Sequence, residues 1–154
     1  MSTPITLEEH QKWMGLALNS AQMARASNEV PIGAVLVHAG KPIAQAFNQT
    51  ISQNDPTAHA ELLCLRQGAA FIGNHRLTDC SLYVTLEPCL MCLGAMIQAR
   101  VKFLIYGVDD SRIGCISQHR IHKTPGLNHH LQTLSGICSG ECALLLKDFF
   151  RARR

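Results

Sequence analysis

Short apolar runs alternate along this chain with segments of helical periodicity. The apolar runs lie at residues 32–38, 43–47, 81–86 and 101–106, and the helical segments at 7–26, 57–73, 89–98 and 141–153. The first two runs are joined by Ala39-Gly40-Lys41, which is typical of a hairpin turn, whereas the later runs are separated by helical crossovers. The pattern predicts an α/β layered fold in which at least part of the sheet is parallel. Residues 107–136 lose the periodicity, and we expect irregular structure with short helical pieces there.

The length and composition favour one globular domain. The chain has 154 residues, of which 47% are hydrophobic, and shows no internal repeat or linker-like shift in composition. We therefore predict a single domain over residues 1–154. The formal charge of +3 is too small for a disordered chain; it permits a nucleic-acid partner without establishing one.

The cysteines and the first residues predict the compartment. Seven cysteines, an odd number, argue against a disulfide framework and for a reducing environment. The opening residues MSTPITLEEH have neither the basic nor the apolar region of a signal peptide, so we expect a cytoplasmic protein. The longest apolar stretches fall far short of the ~20 residues that span a bilayer, so we expect no membrane association.

Two short motifs carry the chemistry. His59-Ala60-Glu61 and Pro88-Cys89-Leu90-Met91-Cys92 match the H-x-E…P-C-x-x-C signature of zinc-dependent deaminases. Each half is weak alone, because a C-x-x-C pair also occurs as a redox motif and a lone histidine is usually a packed core residue. Together, each at a predicted helix start, they predict a site in which His59, Cys89 and Cys92 bind Zn²⁺ and the fourth position holds water. The two cysteines, three residues apart, share one helix face.

Glu61 has a different predicted role. It lies about 200° around an ideal helix from His59, so the spacing does not direct both side chains to one ion. A carboxylate beside zinc-activated water can accept its proton and later protonate the substrate ring and the leaving amine. The predicted reaction is hydrolytic deamination of an amino-purine or amino-pyrimidine. The ordinary interpretation of such a glutamate is a solvated charge on a helix face.

A structural zinc site is the alternative for the ligands. It needs a fourth ligand, for which His129-His130 or Cys138 and Cys142 are candidates. The interval from Cys92 to His129 is much longer than the ~12 to 15 residues of compact zinc fingers. The remaining cysteines are expected to be packed in the core.

Four segments resemble bacterial tRNA-specific adenosine deaminases: residues 29–35, 55–61, 84–92 and 141–154. The resemblance covers nearly the whole chain from about residue 13. It implies a three-layer α/β/α cytidine deaminase-like fold with a central mixed five-stranded sheet, one Zn²⁺ per subunit and a homodimer. It also implies conversion of adenosine to inosine at the wobble position of a tRNA anticodon loop.

The resemblance also implies the residues that contact the target nucleotide. Asn48 would hydrogen-bond the flipped base, which suits an amide because it donates and accepts at once; its ordinary interpretation is a turn asparagine after a strand. Asp110 would contact the nucleotide beside the target base, whereas Asp109-Asp110 alone would be interpreted as a solvated turn. Two further segments would surround the base, namely the pocket wall of Glu29, Val30 and Pro31 and the backbone of Thr85, Leu86 and Glu87 at the metal edge.

The last residues are the predicted RNA contacts. They combine apolar and basic side chains: Lys147, Phe149, Phe150, Arg151, Arg153 and Arg154. An ordinary amphipathic helix has the same composition and is the alternative interpretation. We expect one of the two phenylalanines to pack in the core and the arginines to contact phosphates. Asn28 and Asp109 stand where relatives often have basic residues, and residues 111–123 diverge most. A deaminase of free bases and a non-catalytic zinc-stabilised RNA-binding module remain alternative functions.

Overall fold

The computed structural model describes residues 3–154. Its helices are α1 (Leu7–Ala26), α2 (Ala60–Ile72), α3 (Leu90–Gln98) and α4 (Ser139–Arg151). Its strands are β1 (Gly33–His38), β2 (Lys41–Phe47), β3 (Cys80–Leu86), β4 (Phe103–Val108) and β5 (Gln132–Ser135), and a 3-10 turn covers Ile121–Lys123. Among the described residues, none of the helices is long and apolar enough to cross a membrane.

The strands form one mixed sheet in the order β2-β1-β3-β4-β5. β1 pairs antiparallel with β2 and with β3, whereas β3, β4 and β5 are parallel. One core, which includes Leu36, Val84 and Met96, packs α2 and α3 against one face of the sheet. A second core, which includes Trp13 and Tyr83, packs α1 and α4 against the other face. The predicted three-layer α/β/α fold with a mixed five-stranded sheet is therefore confirmed.

Helix α1 has the bounds that the sequence predicts because its N-terminus carries a complete capping box. The Thr6 hydroxyl accepts from the Glu9 amide at 3.2 Å, and the Glu9 carboxylate accepts from the Thr6 amide at 2.9 Å. The helix lies very close to β1 where that strand begins. A Cβ atom at Gly33 would collide with the carbonyl oxygen of Ala17, so only glycine permits this approach.

The structure differs from the sequence prediction at three helix starts. α4 begins at Ser139 and not at residue 141. α2 begins at Ala60 and not at residue 57, because the Asp55 carboxylate accepts from the Thr57 amide at 2.8 Å and from its hydroxyl at 2.7 Å. These bonds hold the chain in a turn ahead of the helix. α3 begins at Leu90, so Cys89 is the N-cap residue and not part of the first turn.

The expectation of irregular structure over residues 107–136 missed β5. All four residues of this strand, Gln132–Ser135, are exposed at the edge of the sheet. An edge strand that buries no side chain has no alternation of apolar and polar residues, and that alternation is the signal by which strands are found in sequences. Elsewhere in the segment the expected short helical piece is present as the turn Ile121–Lys123.

Candidate active site

Two helix N-termini meet beside the end of β3 and bring together three side chains of residue types that bind metals. His59 is the N-cap residue of α2, Cys89 is the N-cap residue of α3, and Cys92 lies in the first turn of α3. Their ligand atoms all lie within 4.8 Å of one another, and each sulfur lies 3.6 Å from Nδ1 of His59. Within residues 3–154 no other cluster of His, Cys, Asp and Glu has this geometry.

The electrostatics of this cluster favour a thiolate at Cys89. A hydrogen bond from the Cys92 thiol lowers the pKa of Cys89 to about 4, aided by His59 and opposed by burial. The pKa of Cys92 is raised by the same pairing and by burial. The pKa of His59 is raised by its hydrogen bond with Cys89, against the effect of burial. The positive end of the α3 dipole also favours a thiolate.

Glu61 lies next to this cluster and is almost completely buried. It is 3% exposed, and burial raises the pKa of its carboxyl group. Its Oε1 atom has no hydrogen-bond partner among the described residues. A buried polar atom without a partner costs about 1–3 kcal/mol, so the oxygen is placed for a partner outside the polypeptide. One nitrogen, two sulfurs and an adjacent carboxylate are a donor set that fits Zn²⁺ with a nearby water.

Asn48, which directly follows β2, is held by the N-terminus of α2. Its side chain is 6% exposed, and Oδ1 accepts from the Ala60 amide at 2.8 Å. A backbone N–H group can only donate, so the atom that faces Ala60 is the amide oxygen of Asn48, and the bond fixes the orientation of the side chain. The carbonyl half of Asn48 thus caps the helix that carries Glu61.

The predicted pocket wall has a buried carboxylate behind it. Glu29 is 1% exposed and accepts from the amides of Ile51 at 2.9 Å and Ser52 at 2.7 Å. Its side chain therefore secures the loop between β2 and α2. Val30 is half-buried and Pro31 is buried.

The segment Thr85-Leu86-Glu87, predicted to lie at the metal edge, makes side-chain as well as backbone hydrogen bonds. The Thr85 hydroxyl accepts from the Gly33 amide at 3.2 Å. Glu87, 2% exposed, accepts from the amides of Asp110, Ile116 and Ser117 and from the Ser117 hydroxyl. Burial would raise the pKa of Glu87, but these hydrogen bonds outweigh it and lower the pKa. Sequence reasoning considered only the backbone of Glu87, and a partner some 30 residues away leaves no local pattern.

The predicted RNA contacts at the C-terminus divide into two groups. Five of the six predicted residues are exposed, namely Lys147, Phe150, Arg151, Arg153 and Arg154. Phe149 is 7% exposed and packs in the core, as expected for one of the two phenylalanines. The Arg153 guanidinium lies 4.1 Å from the ring centroid of Phe149 and donates to the Asn28 carbonyl at 2.9 Å. Arg153 therefore joins the ends of α4 and α1.

The candidate fourth ligands lie away from the cluster. Nε2 of His129 is hydrogen-bonded to the Val101 carbonyl at 2.6 Å, and Cys142 is buried in the core beneath α1 and α4. The Cys115 thiol donates to the Pro88 carbonyl at 2.9 Å. A set of three protein ligands is typical of catalytic zinc sites, whereas structural sites have four.

Residues 8–154 match the sequence model of the MafB19-like deaminases, and the chain belongs to this family. A curated relative, the tRNA-specific adenosine deaminase of Haemophilus influenzae, is 45% identical over 149 residues, which cover 96% of this chain and 86% of that protein. The resemblance to tRNA-specific adenosine deaminases is thus confirmed.

Two solved structures extend the comparison. The first comes from a study of A-to-I editing by tRNA:A34 deaminases at the wobble position of transfer RNA; it has a TM-score of 0.85 and 43% identity and covers 88% of this chain and 99% of that one. The second is the guanine deaminase of Bacillus subtilis, with a TM-score of 0.64 and 33% identity over 80% of this chain and 82% of that one.

Proposed function

We propose that this protein deaminates adenosine to inosine at the wobble position of a tRNA anticodon loop. The observation that carries the proposal is the buried, unpartnered Oε1 atom of Glu61 beside the cluster of His59, Cys89 and Cys92. The names of the relatives give the substrate class. A single-stranded anticodon loop suits a buried site, because an unstacked base enters a pocket without the cost of opening a duplex.

We infer that His59, Cys89 and Cys92 hold one Zn²⁺ ion. When bound, the ion supplies a Lewis acid that lowers the pKa of a water molecule towards neutrality. The Cys89 thiolate, with its lowered pKa, and the two helix N-termini favour the ionised sulfur that such a site needs.

Glu61 moves the protons of the proposed reaction. Its Oε1 atom accepts a proton from the attacking water as the oxygen bonds to C6 of the adenine. The same carboxyl group delivers this proton to the ring nitrogen N1. It then accepts the proton of the new C6 hydroxyl group and delivers it to the amine as the C6–N6 bond breaks and the C6=O bond forms. Water is consumed and ammonia leaves, so Glu61 ends the cycle in its starting state.

The remaining residues bind and orient the RNA in this proposal. The Nδ2 group of Asn48 donates to the purine, and its carbonyl keeps the amide fixed on α2. Lys147, Arg151 and Arg154 are exposed and available to phosphates, and Phe150, 48% exposed, offers a ring on which a base can stack. Asp110 contacts the nucleotide beside the target base.

The proposal includes a homodimer that acts on cytoplasmic tRNA. Two apolar side chains beside Cys89 are exposed, Leu90 at 59% and Met91 at 38%, and a second copy of the chain would cover them. Sedimentation velocity should give a dimer for the wild type and a smaller dimer fraction for Leu90→Asp. A monomeric wild type at micromolar concentration would contradict this part of the proposal.

The similarity to guanine deaminase supports one alternative, deamination of a free base. The purified protein should be incubated separately with an anticodon stem-loop carrying wobble adenosine, the same stem-loop with the adenosine moved one position, guanine, cytosine and adenosine. We expect inosine only in the first RNA, detected by nucleoside mass spectrometry after digestion. Turnover of a free base without turnover of the RNA would refute the proposed substrate.

A further inference from the structure

Glu87 is the main anchor of the loop between β4 and the turn Ile121–Lys123. Its Oε1 atom accepts from the Asp110 amide at 2.9 Å and the Ser117 hydroxyl at 2.7 Å. Its Oε2 atom accepts from the amides of Ile116 at 2.8 Å and Ser117 at 2.9 Å. Four bonds to one carboxylate therefore fix both ends of the segment 110–117, which we call the Asp110 loop.

The other hydrogen bonds of the outer part of the Asp110 loop are to near neighbours in the sequence. The Arg112 amide donates to the Asp110 carboxylate at 2.9 Å, and Nε2 of Gln118 donates to the carbonyls of Asp110 at 3.4 Å and Ser111 at 3.2 Å. Ser111, Arg112 and Ile113 are exposed, and the Arg112 side chain reaches Asp110 only as a 3.8 Å ion pair with an 85% exposed guanidinium. Exposed ion pairs contribute little to stability. The loop makes one further hydrogen bond to the residues before Cys89, which the Cys115 thiol donates to the Pro88 carbonyl. The bonds of Asp110 to Arg112 and Gln118 stay within residues 110–118, so the position of Asp110 relative to Cys89 depends mainly on Glu87.

Glu87 also belongs to the segment that carries a proposed metal ligand. It lies two residues before Cys89, and its amide donates to the Val108 carbonyl at the end of β4 at 2.9 Å. One residue thus connects the last residue of β4, the Asp110 loop and the start of α3. A shift of this side chain would move Asp110 relative to Cys89.

We propose that Glu87 is a positioning residue for RNA recognition, which holds the Asp110 loop at a fixed distance from the reacting base. This inference rests on the proposed function for the identity of the RNA. The hydrogen bonds between Glu87 and the Asp110 loop do not depend on the proposed function. In this role the Glu87 carboxylate acts through the backbone amides of Asp110, Ile116 and Ser117, to which it is hydrogen-bonded.

The test combines hydrogen exchange, RNA binding and kinetics on the zinc-loaded protein. In Glu87→Gln, one carboxylate oxygen becomes an NH₂ group, which cannot accept from the two donors it faces, so two of the four hydrogen bonds are lost. We expect amide exchange to become about 100-fold faster at the amides that face the NH₂ group, which are either Asp110 or the pair Ile116 and Ser117. The Kd and KM for the anticodon stem-loop should rise about tenfold, with kcat within threefold and zinc content unchanged. A purely structural role would lower the active fraction and leave KM unchanged.

Two further variants keep the test decisive. Ser117→Ala removes only the hydroxyl bond and should raise amide exchange in the loop about tenfold, so it serves if Glu87→Gln does not fold. Glu29→Gln is the matched control, because it removes a buried carboxylate from the other loop. It should accelerate exchange at Ile51 and Ser52 and leave the Asp110 loop unchanged.

The outcomes separate this inference from the proposed function. Unchanged exchange at Asp110, Ile116 and Ser117, or a fall in kcat with unchanged KM and Kd, overturns the positioning role. If the wild type does not deaminate the stem-loop but the loop amides exchange faster and stem-loop binding weakens in Glu87→Gln, the deamination is wrong and the positioning role stands.

Discussion

Replacing Glu61 by glutamine tests the proton transfer on which the proposed chemistry depends. Glutamine has nearly the same shape but cannot accept a proton. One transfer by a positioned carboxyl group contributes about 10²–10⁴-fold to a rate. Glu61 both accepts and returns protons in one cycle, so we expect a loss at the upper end, about 10⁴-fold in kcat/KM or about 5 kcal/mol of transition-state stabilisation.

The structure also predicts what Glu61→Gln leaves intact. The side chain is 3% exposed and one of its oxygens has no partner, so removing the charge should not lower the free energy of unfolding. Zinc content and stem-loop affinity should match those of the wild type. Glu141→Gln is the matched control, because Glu141 is also an acidic residue in the first turn of a helix but is exposed.

Single-turnover deamination of the stem-loop measures this effect without interference from product release. Zinc is quantified in the same samples, and the free energy of unfolding is measured by urea titration. If Glu61→Gln retains zinc and deaminates within tenfold of the wild-type rate, Glu61 is not the proton-transfer group. A loss of activity in proportion to a loss of zinc would contradict the prediction that Glu61 is not a metal ligand, because Glu61 would then be needed to hold the metal.

Three other predictions test the fold and the site. Asn48→Ala leaves the buried Ala60 amide without an acceptor and should lower the free energy of unfolding by about 1–3 kcal/mol. The affinity for the stem-loop should also fall. Wild-type values in urea titration and in fluorescence anisotropy would contradict this role of Asn48. Gly33→Ala drives a methyl group into α1 and should cost about 1–3 kcal/mol or more, whereas Gly15→Ala, with open space around it, should be neutral or stabilising; equal melting temperatures would refute the close approach. Burial lowers the pKa of His122, so the unfolded chain binds its proton first and stability is lost as the pH falls below about 6.5. His122→Gln should flatten this part of the pH profile of unfolding, and an unchanged profile would contradict it.

The sequence predicts the parts of the fold that have local signals. The α1 bounds follow from the capping box of Thr6 and Glu9 and from the apolar periodicity. The convergence of His59, Cys89 and Cys92 follows from two motifs at predicted helix starts, since both helices begin at the same end of a partly parallel sheet. The two-residue spacing from His59 also predicts that Glu61 is not a metal ligand.

Features that depend on distant partners could not be predicted. The carboxylates of Glu29 and Glu87 bond to amides that follow 22 to 30 residues later, and neither leaves a periodic pattern. The sequence predicts phosphate contacts for the C-terminal arginines, and it gives no signal for the hydrogen bond of Arg153 to a backbone carbonyl 125 residues earlier. These contacts form only when the layers pack, so they are consequences of the tertiary fold.

Zinc coordination tests the proposed centre most directly. X-ray absorption spectroscopy of the purified protein should show one zinc per chain with one nitrogen at about 2.0 Å, two sulfurs at about 2.3 Å and one further oxygen from water. Cys92→Ala should lose this signal. A third sulfur or a second nitrogen would indicate a four-ligand structural site, and that result would contradict the assignment of His59, Cys89 and Cys92 as the ligands of a catalytic centre.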